Sequence, residues 1–158
     1  MKHLFLIFSF ILVCTICQAQ DRKEIRLHPG ADKIGLRSNG FAANLGLEYF
    51  ILDNISIVPS YSHGLFLGRS KYQTLNLDSR FYMPKGTYQW YGFTGITNNR
   101  ERLWGEEDIV HSNFVGANIG LGCVIKFSDG YGINPEIKQQ AMREGRAVAR
   151  LTLLFFLN

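Results

Sequence analysis

A chain of 158 residues has the length of one domain, and no segment of it reaches the ~18 apolar residues that a membrane-crossing helix needs. A net charge of +4 and a pI near 9.1 raise the question of nucleic acid. The basic residues are scattered and alternate with acids, so no basic stripe forms and nucleic acid is not an expected partner. Hydrophobic residues at 46%, aromatics at 13% and 16 glycines suit many short strands with tight turns, not a helical bundle.

The chain begins with Lys2 and His3, then an apolar run from Leu4 to Cys17, then Cys17-Gln18-Ala19 before Gln20. Charged, apolar and small-x-small segments in that order make a secretory signal peptide. Residues 1–19 are expected to be removed, with cleavage after Ala19, and residues 20–158 to form the mature domain. Cys14 and Cys17 fall in the signal. Neither suits lipidation, because Val13 and Ile16 stand where a small residue is wanted. Cys123 alone remains, so no intrachain disulfide is expected. It lies on an apolar face and reads as an inert hydrophobe.

From Gln20 to Pro29 the chain is polar and mixed in charge, which reads as a periplasmic lead-in. Asp32 to Arg37 is a weak first strand, and Ser38-Asn39-Gly40 a turn. Phe41 to Leu52 alternates: Phe41, Ala43, Leu45, Leu47, Tyr49 and Ile51 share a face opposite Asn44, Gly46 and Glu48. Asp53-Asn54 turns the chain into a third strand, Ile55 to His63. Pro59 lies within it and predicts a bulge or irregularity there. Lys71 to Met83 is a fourth strand, with Leu75, Leu77 and Phe81 opposite Thr74, Asn76, Asp78 and Arg80. Pro84-Lys85-Gly86 leads to a fifth, Thr87 to Ile96, whose two faces are too alike to orient.

Thr97 to His111 is the longest stretch without periodicity and the most charged, and reads as a loop centred on Trp104. Ser112 to Phe127 is a sixth strand, Ser128-Asp129-Gly130 a hairpin turn, and Tyr131 to Gln140 a seventh strand. A polar loop to Arg146 precedes the closing strand, Ala147 to Asn158. There Leu151, Leu153, Phe155 and Leu157 oppose Arg150 and Thr152. An ordinary buried strand would not hold Arg150 in mid-run, and a solvent-facing one would not expose that row of leucines. A barrel wall in lipid accommodates both.

Eight alternating strands predict an all-β, eight-stranded, antiparallel up-and-down transmembrane barrel. Connections after strands two, four and six are short, and those after three, five and seven longer, as periplasmic turns and outer loops are. With the signal peptide and the Gly120-Leu121-Gly122 run before a Ser-Asp-Gly hairpin, the chain resembles the small outer-membrane β-barrel proteins of Gram-negative bacteria, the OmpA/OmpX-like families. The resemblance implies an outer-membrane location, outer-membrane lipids and the barrel-insertion machinery as partners, a monomer, and no cofactor. Such barrels often finish on an aromatic residue; here Phe155 and Phe156 precede Leu157 and Asn158.

The faces assigned inward collect Glu48, Asp78, Arg80, Lys126, Glu136, Lys138 and Arg150. Eight strands leave a lumen that side chains fill, so these charges are expected to pair in a network that fixes register. Tyr49, Tyr61, Tyr72, Tyr88, Trp90, Tyr91 and Tyr131 are expected to form interfacial girdles. The function these features favour is a non-enzymatic structural or surface-interaction barrel. One alternative is an outer-membrane lipid A or phospholipid acyl hydrolase. His111-Ser112-Asn113 is similar to the His-x-Ser-Asn motif of lipid A deacylases but lacks the spacer, and Glu106, Glu107 or Asp108 would supply the acid. The same cluster with His111 has no metal-loop spacing, so no metal is expected. A second alternative is a lipocalin-like barrel that binds a ligand inside, with apolar residues inward and charges outward.

Overall fold

The computed structural model describes residues 24–35, 40–66, 70–83, 88–104, 109–141 and 145–157. The expected signal peptide and its cleavage site, the turn positions Ser38, Asn39 and Pro84 to Gly86, and Glu106, Glu107 and Asp108 lie outside them. The described elements are strands: β1 (Ile25–Ile34), β2 (Gly40–Leu52), β3 (Ile55–Phe66), β4 (Ser70–Tyr82), β5 (Tyr88–Trp104), β6 (Ile109–Lys126), β7 (Tyr131–Ala141) and β8 (Arg146–Leu157). Each pairs antiparallel with the next, and β8 returns to β1 through Ile25↔Leu157 to Ile34↔Val148. The barrel is closed and has no free edge.

Side-chain alternation turns the sheet inside out relative to a water-soluble barrel. On β2, Phe41, Leu45, Leu47, Tyr49 and Ile51 are 44% to 53% exposed, while Ala42, Asn44, Glu48 and Phe50 are buried. On β8, Leu151, Leu153, Phe155 and Leu157 face out, while Val148, Arg150, Thr152 and Leu154 face in. A period of two assigns alternate residues to opposite walls. Here that puts the apolar set outside and the polar set inside. A lipocalin-like arrangement requires the reverse, and the structure overturns it.

Three expectations are corrected. The lead-in is mostly strand: β1 starts at Ile25 and pairs with β2 from Ile25↔Tyr49 onward. Its inward residues are Arg26, His28 and Asp32, and its outward ones include a proline and an alanine, so the usual apolar alternation is faint. The expected Thr97 to His111 loop is largely a continuation of β5 and β6, paired to Trp104↔Ile109. Backbone ladders need no apolar side chains, so pairing continues after hydrophobic periodicity stops. Tyr72 and Tyr91 are no girdle residues; both are buried in the lumen.

The irregularity expected of the strand that holds Pro59 is found, though not as a bulge at the proline itself. The β2–β3 ladder lapses between Gly46↔Ser60 and Tyr49↔Ile57 but resumes in the same register. Its register shifts lie at Phe41/Ala42 and Phe50/Leu52 instead. Pro29 and Pro135 show the same lapse, on the β1–β8 and β6–β7 ladders. Each proline remains partnered on its other side, with Leu45, Leu77 or Leu151. A missing N–H interrupts only the ladder it would have pointed into, so a proline fits here without a bulge.

Candidate functional site: the charged lumen

The inward side chains stack in layers along the barrel. At the rim of the short turns, Phe50, Tyr82, Tyr91, Phe93, Val124 and Leu154 form an aromatic plug, with Phe156 packed against it. Toward the opposite rim Ile34, Ala42 and Tyr72 form a smaller cluster. Ionic and amide groups fill the space between.

Glu48 holds the lower half of that space. Its carboxylate accepts from Tyr82 Oη at 2.6 Å and Ser56 Oγ at 2.5 Å, and meets His28 Nε2 at 3.0 Å. Arg26 Nη1 and Arg80 Nη1 each lie 3.6 Å away. Arg26 also stacks over Phe50 at 4.5 Å and binds Glu24 at 2.9 Å. Arg80 reaches across the lumen to donate to Glu136 Oε2 at 2.7 Å, an oxygen that also accepts from Tyr91 Oη at 2.9 Å.

One layer higher, Arg150 donates to both oxygens of Asp32, at 2.7 and 3.0 Å, and its Nη1 lies 3.6 Å from Glu136. Ser62 Oγ donates to the same Asp32 at 2.7 Å. Asp78 accepts from Asn118 Nδ2 at 2.8 Å. Above it Gln140, Thr97, Asn99, Thr74 and Tyr72 form an uncharged hydrogen-bonded cluster, in which Thr74 and Tyr72 both donate to Asn99 Oδ1. Arg146 then closes on Glu101 at 2.6 Å and stacks over Tyr72 at 5.1 Å.

Strand register brings these charges together. Arg26↔Glu48, Asp32↔Arg150 and Glu136↔Arg150 are directly opposed cross-strand positions of opposite sign. Such pairs favour one register. A one-residue slip would carry every inward charge to the outer wall.

Of the seven residues singled out in the sequence, Glu48, Asp78, Arg80, Glu136, Lys138 and Arg150 are all buried in the lumen. Lys138 Nζ makes no hydrogen bond among the described residues and sits amid Glu136, Asp78 and Asp32. Lys126 differs. It holds the inward parity of β6 but is exposed, with Nζ 4.5 Å over the Phe156 ring. It is the last residue of its strand, so it reaches the mouth instead of the network. Reading the sequence alone missed Arg26, His28 and Asp32, along with Tyr82 and Tyr91 as hydroxyl donors. The signal was there in part: Glu24, Arg26, His28 and Asp32 all fall on even positions, in phase with Ile34.

Ser112 pairs with Glu101 and His111 with Arg102 on the β5–β6 hairpin. They are consecutive positions of one strand, so they hold opposite parities. Glu101, the carboxylate opposite Ser112, is engaged by Arg146.

Closed topology, apolar exterior and ion-paired interior together define the class: an eight-stranded transmembrane β-barrel with a filled lumen. Solved structures of that kind are similar to it. The N-terminal β-barrel domain of Pseudomonas aeruginosa OprF matches with a TM-score of 0.70 at 16% identity, over 87% of this chain and 100% of that one. Neisserial surface protein A, NspA, matches at 0.67 and 8% identity, over 85% and 96%. Ail, the attachment invasion locus protein of Yersinia pestis, matches at 0.66 and 9% identity, over 86% and 99%. No protein-family model matches the chain, and the comparison with curated proteins finds no match.

Proposed function

We propose that this chain is a non-enzymatic barrel of a bacterial outer membrane, with a structural or surface-interaction role. One observation carries the reading: leucines, isoleucines and aromatics cover the outside, while a paired charge network fills the inside. That polarity is stable only with hydrocarbon around the wall. A filled lumen favours a scaffold over a pore, and the inward network then serves to fix register and stiffen the wall. β6 extends well beyond β7, which ends at Ala141 opposite Ala117, while β4 accompanies β5 as far as Ser70↔Leu103. The β5–β6 hairpin is the surface best placed to meet another molecule. Ail, of similar fold, bears the name of an attachment protein.

Cell fractionation with heat-dependent gel mobility tests the location. The mature chain, starting at Gln20, is expected in the outer-membrane fraction, running faster unheated than boiled. Recovery in the soluble fraction without detergent would overturn the reading.

A further inference from the structure

The outer wall of a transmembrane barrel should be uniformly apolar within the hydrocarbon. One place is not. Asn98 faces outward in the row Tyr61↔Leu75↔Asn98↔Val115, where Leu75 and Val115 are 59% and 75% exposed. Its Oδ1 is buried and receives no hydrogen bond. The next row outward is polar throughout: His63↔Gln73↔Arg100↔Asn113. Among the described residues no carboxylate pairs with the exposed Arg100.

Two hollows meet at Asn98. A polar pocket of about 110 Å³ is lined by Tyr61, Gln73, Thr74, Leu75, Asn98 and Arg100. An apolar groove of about 270 Å³ runs on from it between Leu75, Leu77, Ile96 and Val115. The two share Leu75 and Asn98. Depth agrees with the chemistry. Tyr88 lies at the rim of the short turns, and ten residues of tilted strand carry Asn98 about 25 Å above it, the height of the apolar band. The polar pocket therefore lies at headgroup level and the groove among acyl chains. A larger groove of about 700 Å³ over β6 to β8 is apolar, lined by residues such as Leu121, Pro135 and Ala149. Its outward polar side chain is Gln139, and no outward cation stands among its lining residues.

We propose that this cleft on the wall of β3 to β6 binds one phosphorylated, hydroxyl-bearing lipid. The Arg100 guanidinium takes the phosphate, which it can grip with two donors. A headgroup hydroxyl donates to Asn98 Oδ1 and removes its unsatisfied state. One acyl chain lies along Leu75, Ile96 and Val115. The proposal rests on the membrane reading above.

The test is native mass spectrometry of the barrel released from phosphatidylcholine nanodiscs with a minor share of phosphatidylglycerol. Wild type is expected to retain one phosphatidylglycerol in preference to phosphatidylcholine. Arg100→Gln and Asn98→Leu should each cut that preference about tenfold, with Arg100→Lys retaining part of it. Leu75→Trp, which fills the groove and leaves the charge, should lower retention too. Water-soluble glycerol phosphate should not displace the lipid. Equal retention of both lipids, an unaffected Arg100→Gln variant, or full displacement by glycerol phosphate would each overturn the proposal. A chain that does not enter nanodiscs as a folded, heat-shifting barrel would instead overturn the membrane reading, and the site with it.

Discussion

Glu48 is the most heavily engaged side chain in the lumen, with a tyrosine, a serine and a histidine in hydrogen-bond reach and two arginines beyond. Buried ions of this kind add little net stability as pairs, yet breaking one pair costs about 3–5 kcal/mol, because the other charge is stranded. Arg150→Met is therefore expected to destabilise the barrel by about 3–5 kcal/mol, since it strands Asp32 without its guanidinium. Asp32→Leu together with Arg150→Met should recover most of that loss. Equilibrium guanidinium unfolding of the refolded barrel in vesicles measures both. Glycine acts here by leaving room. A Cβ on Gly122 would lie 2.2 Å from Tyr91 Oη, and one on Gly120 2.5 Å from the Phe93 ring. Gly122→Ala should cost about 1–3 kcal/mol by overpacking and push Tyr91 off Glu136, visible as a lower unfolding midpoint.

At the scale of elements, β5 and β6 separate two roles that one hairpin combines. β5 is paired with β4 almost to its end, at Ser70↔Leu103, while the outer part of β6, before Ala117↔Ala141, pairs only with β5. Replacing 103–110 with an Asn-Gly turn is expected to leave the unfolding free energy within about 1 kcal/mol, since changes at the tip of a hairpin are well tolerated. Heat-dependent gel mobility should be unchanged as well. Loss of the folded band would mean that the hairpin tip nucleates closure. These strands were only half legible. Leu121, Ile119 and Ala117 alternate plainly with glycines and Asn118, so the inner half of β6 can be read directly. Arg100 to Trp104 carries no apolar period, because charged residues stand at three successive positions and two apolar residues follow them. The pairing that makes it a strand lies with its neighbour and leaves no trace in its own residues.

For the whole molecule, closure and polarity work together. Closing β8 on β1 leaves the described sheet without a free edge, so no open row of backbone groups faces lipid. It also forces each strand to present one face inward. On that geometry neighbouring residues have opposite tolerances. Leu151→Arg on the outer wall should cost about 2–4 kcal/mol near the bilayer midplane. Thr152→Val, one position along and inside, should cost no more than about 1 kcal/mol, the worth of one hydrogen bond. Unfolding in vesicles separates the two, and equal costs would mean that β8 does not face lipid as assigned.

Alternation along the strands, clearest in β2, β4, β6 and β8, together with the spacing of the turns, was enough to predict a barrel of eight strands, its apolar exterior and the inward set of Glu48, Asp78, Arg80, Glu136, Lys138 and Arg150. A period of two is a local property, written into each strand separately. The tertiary structure alone decided which charges meet, that Arg26, His28 and Asp32 join them, that Tyr72 and Tyr91 turn inward, and that Asn98 sits unsatisfied beside an apolar groove. Those facts depend on register and on contacts across the lumen, between residues as distant in the chain as Asp32 and Arg150. Local pattern marks Arg26, His28 and Asp32 only by their shared parity and does not encode which side chains meet.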